Sequence, residues 1–232
     1  MTNRRAELQA NLQAVQERIA AACLAAGRSP GSVRLLPVTK TFPVSDLELL
    51  VGLGCTDVGE SRDQEAREKR ALMSSPVRWH MIGQVQRKKA RQVVQWADVI
   101  ESVDRAELAD ALSAGAVASG RSVEVLIQLS LDPAAQEGRG GVQPDALLTL
   151  ADHVQGLPGL RLAGVMAVAP LGADPIAAFT AMAHAHAALL TMAPQATTVS
   201  AGMSGDLEAA IACGATQVRI GGAILGNRPP LK

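Results

Sequence analysis

The chain has no tyrosine, and only two phenylalanines and two tryptophans among its 232 residues. Without tyrosine, no phenol is available as a catalytic acid or base. With so few aromatics there is little to anchor a large protein interface, and a monomer is expected. Cysteine is scarce and odd in number. Cys23, Cys55 and Cys213 lie far apart, which argues against a disulfide framework or a zinc knuckle and leaves them as small buried hydrophobes. Net charge is absent: 22 basic residues balance 22 acidic ones, so no field draws a nucleic acid by its phosphates. No uninterrupted apolar stretch has the length of a bilayer span, so no membrane partner is expected. The opening residues, MTNRRAELQANLQAVQERIA, lack the apolar core of a signal peptide, and a cytoplasmic location is expected. No metal constellation is visible. His184 and His186, two apart on a helix, face away from each other, and His153 stands alone. No low-complexity segment or linker divides the chain, so one domain over residues 1–232 is expected.

What is present is alternation. Arg4 to Ala26 is helical by period, with Leu8, Leu12, Val15, Ile19 and Cys23 on one face. The apolar run Val33 to Lys40 then reads as a strand buried on both faces. Ser45 is placed to cap a helix holding Leu47, Leu49 and Leu50. The same rhythm continues through strands at Asp57–Glu60, Val77–Gly83, about Val99, Ser122–Leu129 and Leu160–Val168. Strands ending near Ser200 and at Ile220 or Gly221 complete the set. Helices fall between them, one of them capped by Asp104 and another running from about Ser204 to Cys213. Eight strands in strict alternation with helices predict a closed (β/α)8 barrel, a TIM barrel, with an open doubly wound sheet as the runner-up.

In such a barrel, ligands sit at the C-terminal ends of the strands. Lys40 falls at such an end. An apolar setting there disfavours its ammonium and frees a neutral amine for a Schiff base with an aldehyde; the plainer alternative is a snorkelling surface lysine. After the seventh strand comes Ser200-Ala201-Gly202-Met203-Ser204-Gly205-Asp206, and after the eighth Arg219-Ile220-Gly221-Gly222. Small residues let backbone N–H groups approach an anion, and Ser204 at a helix start would add a cap and a dipole. Ordinary turn chemistry explains either loop taken alone. Arg219 alternates with Val218 and Ile220 and therefore points the other way, which in a barrel is toward the ligand end; the plainer alternative is a surface arginine with a buried stem. His80 in WHMIG suits either a hydrogen-bonded structural role or a ligand contact. Gly138-Arg139-Gly140-Gly141 matches a nucleotide loop only superficially, since it does not open directly into a helix.

The motifs VTKTFP (Val38–Pro43), GESRDQEA (Gly59–Ala66), WHMIGQVQRKKA (Trp79–Ala90), GVMAV (Gly164–Val168), GMSGDLEAAI (Gly202–Ile211) and VRIGGAILG (Val218–Gly226) occur in that order. SVDR (Ser102–Arg105) and VLIQLSL (Val125–Leu131) fall between them. With these pieces the chain resembles the pyridoxal phosphate (PLP) homeostasis proteins, the YggS/PROSC family. The resemblance implies a barrel of PLP fold type III, like the N-terminal domain of alanine racemase, with PLP held as a Schiff base on Lys40. It implies Ser204, Gly221 and Gly222 around the phosphate, with Met203, Gly205 and Ser200 in the same loop. It implies Arg219 facing the pyridine nitrogen, and Ser61, His80 and Met166 at neighbouring strand ends. The chain carries Ser61 where the family usually has asparagine, Gly222 where it often has threonine, and Ala201 in place of a common methionine or leucine.

The function so implied is non-catalytic: binding of PLP in vitamin B6 and amino-acid homeostasis. PLP-dependent apo-enzymes are the partners such a carrier would serve. The alternative is a PLP-dependent enzyme such as an amino-acid racemase. Two-base racemisation of the alanine-racemase kind pairs a lysine with a tyrosine, and this sequence has no tyrosine; its length also leaves no room for the second domain that supplies one.

Overall fold

A computed structural model of the chain describes residues 2–132 and 140–227. Helix α1 (Thr2–Ala25) leads into β1 (Arg34–Pro37), α2 (Val44–Val51), β2 (Asp57–Glu60), α3 (Asp63–Leu72), β3 (Arg78–Met81) and a short α4 (Ala90–Val93). Then come β4 (Val99–Val103), α5 (Ala106–Ala118), β5 (Val123–Leu129), α6 (Leu147–Gln155), β6 (Leu160–Ala167) and α7 (Pro175–Met192). The last elements are β7 (Thr198–Ser200), α8 (Leu207–Ala212), β8 (Gln217–Ile220) and α9 (Gly222–Leu225). Among the described residues the eight strands form one parallel sheet in the order β1-β8-β7-β6-β5-β4-β3-β2. The sheet closes through the single bridge Val38–Gly59 and the hydrogen bond from Thr39 N–H to the Gly59 carbonyl, 3.0 Å. The architecture is the expected (β/α)8 barrel.

Strand alternation sorts the side chains into two layers. Trp79, Met81, Ile100, Val125, Ile127, Val165 and Val199 point outward, into the core shared with the surrounding helices. Val218 and Ile220 also point outward, where Leu8, Leu12, Val15, Ile19 and Cys23 of α1 bury the face read from their period. The residues between them point into the barrel. Some are apolar, as Val99, Leu126, Ala163 and Met166, but His80, Glu101, Ser200, Gln217 and Arg219 are polar and buried.

The structure corrects several details. β1 stops at Pro37, so Lys40 stands beyond the strand in a turn, and Arg34 at the strand's start is exposed. Ser45 lies inside α2, which starts after Pro43. Arg105, not Asp104, precedes α5. α8 begins at Leu207, after Asp206, so Ser204 caps nothing. Each predicted cap is displaced because chain entry is set by packing on the sheet, and no side chain caps these three helices. Cys55 and Cys213 are half-buried where burial was expected, and only Cys23 is fully buried. By length and composition alone α7 is long and apolar enough to cross a membrane, with mean hydropathy 1.2 over 18 residues, although Thr180, His184 and His186 interrupt its apolar run. Here it is a barrel helix, burying Phe179, Met182, Ala185 and Leu189 on one face. Gly138 and Arg139 lie outside the described residues.

Candidate active-site cavity

The ends of β1, β7 and β8, together with the residue after β3, enclose a cavity of about 280 Å³. Lys40, Arg219, Ser204, Gly205, Gly221 and Gly222 supply its chemistry, and Val38, Phe42, Ile82 and Met203 its apolar wall. Sequence reasoning brought seven of these residues together and missed Val38, Phe42 and Ile82, whose only signal was their place at strand ends. Glycine is favoured at two points of this rim. A Cβ on Gly221 would stand 3.2 Å from the Val38 carbonyl, so β1 and β8 would have to part by a few tenths of an ångström to admit one. Gly202 has φ +93° and faces the Ala210 methyl. Gly205 and Gly222 are different: a Cβ there would meet nothing within 4 Å. Their bare backbone borders the cavity.

The turn after β7 is pinned from two sides. The Asp206 carboxylate accepts from the Met203 N–H at 2.6 Å, and Arg18 of α1 donates to the Ser204 carbonyl at 2.8 Å while pairing with Glu208. These ties do the work that the predicted Ser204 cap was expected to do.

Arg219 is buried with its guanidinium tied down on one side. Nη1 donates to the Ser200 carbonyl (2.6 Å) and hydroxyl (2.9 Å), and Nη2 to the Ala167 carbonyl (2.8 Å). Three of its five N–H donors are thus committed. Behind Ser200 the barrel interior carries a connected polar chain. The Ser200 hydroxyl donates to Glu101 Oε2 at 2.6 Å, and Gln217 donates to Glu101 Oε1 at 2.8 Å. His80 faces Glu101 through Nδ1 (2.7 Å) and Asp57 through Nε2 (2.9 Å). Both ring nitrogens meet carboxylate oxygens, so both must donate, which requires the imidazolium. Burial would lower the His80 pKa, but hydrogen bonds to Asp57 and Glu101 outweigh it and hold it above its ordinary value. Burial likewise pushes the Glu101 carboxyl up, and His80 and Arg219 more than reverse that. Burial lowers the Arg219 pKa, opposed by Glu101 and Asp206. Charges alternate along the chain: Asp57 negative, His80 positive, Glu101 negative, Arg219 positive.

Four residues expected at the cofactor are not on the cavity wall. His80 is 2% exposed, with both nitrogens engaged below the cavity. Ser200 turns its hydroxyl to Glu101 and Arg219, and Met166 packs with Val99, Leu126 and Ala163. Ser61 borders a separate surface hollow with Gln86 and Lys89. Two act at one remove, because Ser200 holds Arg219 and His80 holds Glu101.

A lysine, a fixed cation and two glycine-bearing turns in a small, partly apolar cavity fit a small anionic ligand with a carbonyl. The amine can condense with the carbonyl, and bare N–H groups can receive an oxyanion. The family model for the alanine racemase N-terminal domain matches residues 5–229. A pyridoxal phosphate homeostasis protein of Mycobacterium tuberculosis (strain ATCC 25618 / H37Rv) is 42% identical over 246 residues, covering 97% of this chain and 95% of its own. The chain belongs to the pyridoxal phosphate homeostasis protein family. Its Corynebacterium glutamicum member is 45% identical over 222 residues, covering 93% of this chain and 99% of its own. PipY of Synechococcus elongatus PCC7942, solved with PLP bound, superposes with TM-score 0.83 at 31% identity, over 94% of this chain and 100% of its own. Members of the family carry a name for homeostasis rather than for a reaction.

Proposed function

We propose that residues 1–232 form one barrel domain that holds PLP as a Schiff base on Lys40 and serves PLP (vitamin B6) and amino-acid balance in the cytoplasm. In this reading it is a monomeric carrier handing PLP to apo-enzymes, not an enzyme. The observation that carries the proposal is the shared cavity of Lys40, Arg219 and the Gly221–Gly222 turn; the PLP-bound PipY relative supports it. When bound, the cofactor supplies an aldehyde and an electron-withdrawing ring. Lys40 would supply the amine that holds the aldehyde. The Ser204 hydroxyl and the backbone at Gly205, Gly221 and Gly222 would hold the phosphate. Arg219 is a permanent cation with only donors to offer, so it holds a facing ring nitrogen as an acceptor, without a proton. A cation at that place would leave the ring's electron withdrawal weak. No tyrosine is present to act as an acid on the opposite face. Both features favour binding and release over racemisation.

The test is borohydride reduction of the PLP-loaded protein, followed by peptide mapping. The expected adduct is on Lys40 and is lost in Lys40→Ala together with the visible absorbance band. An adduct on Lys88 or Lys89 refutes the assignment. Incubation with L-alanine in deuterated water separates carrier from racemase. Deuterium at the α-carbon at enzyme-like rates, absent in Lys40→Ala, would establish the enzyme instead.

A further inference from the structure

Beneath the Lys40 turn lies a buried ionic cluster that takes no part in the cavity wall. Lys69 of α3 is 6% exposed. Its ammonium spends its three donors on the Thr39 carbonyl (2.8 Å), Glu60 Oε1 (2.7 Å) and Glu65 Oε1 (2.7 Å). Glu60 ends β2, is fully buried, accepts also from the Thr39 hydroxyl at 2.7 Å, and leaves its Oε2 without a partner. Burial pushes the Glu60 carboxyl up despite Lys69. Glu65, one helical turn before Lys69, accepts the Thr41 N–H at 2.5 Å.

The geometry around Lys40 gives this cluster a purpose. The Thr39 carbonyl belongs to the peptide group before Lys40, and the Thr41 N–H to the peptide group after it. One cluster therefore holds both peptide planes that meet at the Lys40 Cα. With both fixed, the direction in which the Lys40 side chain leaves the backbone is fixed too. The hold works against strain, since Thr41 has φ +72°, the only positive φ outside glycine among the described residues. A β-branched residue adopts that conformation only where its surroundings over-determine it. Burying Glu60 and Lys69, with Glu65 half-buried beside them, is also an expensive way to add stability. A structural staple would be served as well by apolar packing; orienting two peptide groups needs a donor and an acceptor.

We propose that Glu60, Lys69 and Glu65 are positioning residues that clamp the backbone on both sides of Lys40 and so aim its amine at the carbonyl it condenses with. This rests on Lys40 being the Schiff-base lysine. The clamp's hydrogen bonds go to the peptide groups on either side of Lys40 and not to Ser204, Gly221 or Gly222, so it governs covalent capture and not non-covalent binding. Misplacing a reacting atom by about 1 Å costs about a hundredfold in rate.

The test uses the full chain and two probes, pyridoxal 5′-phosphate and pyridoxamine 5′-phosphate. The second has the same ring and phosphate but no aldehyde. In Glu65→Ala, covalent capture, followed by absorbance and by the borohydride-trapped fraction, is expected to slow about ten- to a hundredfold, with pyridoxamine phosphate affinity unchanged. Glu65→Gln keeps the acceptor for the Thr41 N–H and restores the rate. Glu65→Asp keeps the charge beside Lys69 but falls one methylene short of Thr41; it shows the same split to a smaller degree and decides the matter if Glu65→Ala does not fold. Wild-type capture rates in Glu65→Ala and Glu65→Asp, or equal losses for both probes, overturn the clamp. If wild-type protein traps nothing on Lys40, the Lys40 reading falls first and the clamp with it, before any substitution is made.

Discussion

Gly221 and Gly222 are neighbours with opposite tolerances. A side chain at 221 runs into the Val38 carbonyl, and its cost falls on the barrel seam. At 222 a Cβ meets nothing within 4 Å, so a side chain there occupies cavity and not protein. Gly222→Val is therefore expected to melt within about 1 kcal/mol of wild type, as open positions do, while retaining PLP about tenfold less well. Gly222→Thr adds a hydroxyl at the cavity edge and is expected to hold PLP better than the valine variant. Calorimetry and equilibrium dialysis read the two effects separately. Wild-type PLP retention in Gly222→Val would move the phosphate elsewhere.

At the scale of elements, sequence and structure agree where a single period decides. The face of α1 from Leu8 to Cys23 was legible because burial repeats every 3.6 residues, while the strand Asp57–Glu60, buried on both faces, was legible from its place in the alternation. Helix starts were not. Ser45, Asp104 and Ser204 are good capping residues by type, yet none caps, because the preceding strand and loop fix where each helix begins. Among the described residues the side-chain cap seen is that of α7, where Asp174 Oδ1 accepts the Ile176 N–H at 2.9 Å ahead of Pro175. Removing it in Asp174→Ala is expected to cost about 1 kcal/mol, or about 2–4 °C in Tm for a domain of this size. A Tm unchanged within error would mean that the bond contributes nothing to α7. The cavity was legible at its chemical residues, because the fold assigns strand ends to ligands. The clamp at Lys69 and the tie from Arg18 were not. Each joins residues that no short window contains, and both were outweighed in the sequence by their ordinary look as solvated helix charges.

At the scale of the whole molecule, the alternating charges from Asp57 to Arg219 run through the barrel and make stability depend on pH in both directions. No sequence pattern announced this chain, since Asp57, His80, Glu101 and Arg219 come from four strands. The His80 pKa is raised in the fold, so its contribution is complete below about pH 6.5 and is lost as pH climbs through the folded value. Asp57 goes the opposite way. Burial pushes it up, but His80, Thr56 and Arg78 bring it down to about 2. Its contribution is present above about pH 4 and is lost as pH falls toward 2. Glu101, also lowered, adds to the acid limb. Tm against pH is therefore expected to form a plateau with an acid fall and an alkaline fall. Asp57→Asn is the informative variant, because Asp57 is half-buried and its loss leaves the Glu101–His80–Arg219 core paired. With one of its two carboxylates neutral, His80 gives up its proton more readily, so the alkaline fall moves to lower pH while part of the acid fall disappears. Both limbs staying where they are in the asparagine variant would mean that His80 is neutral in the folded protein and that Arg219 is balanced by Glu101 without it.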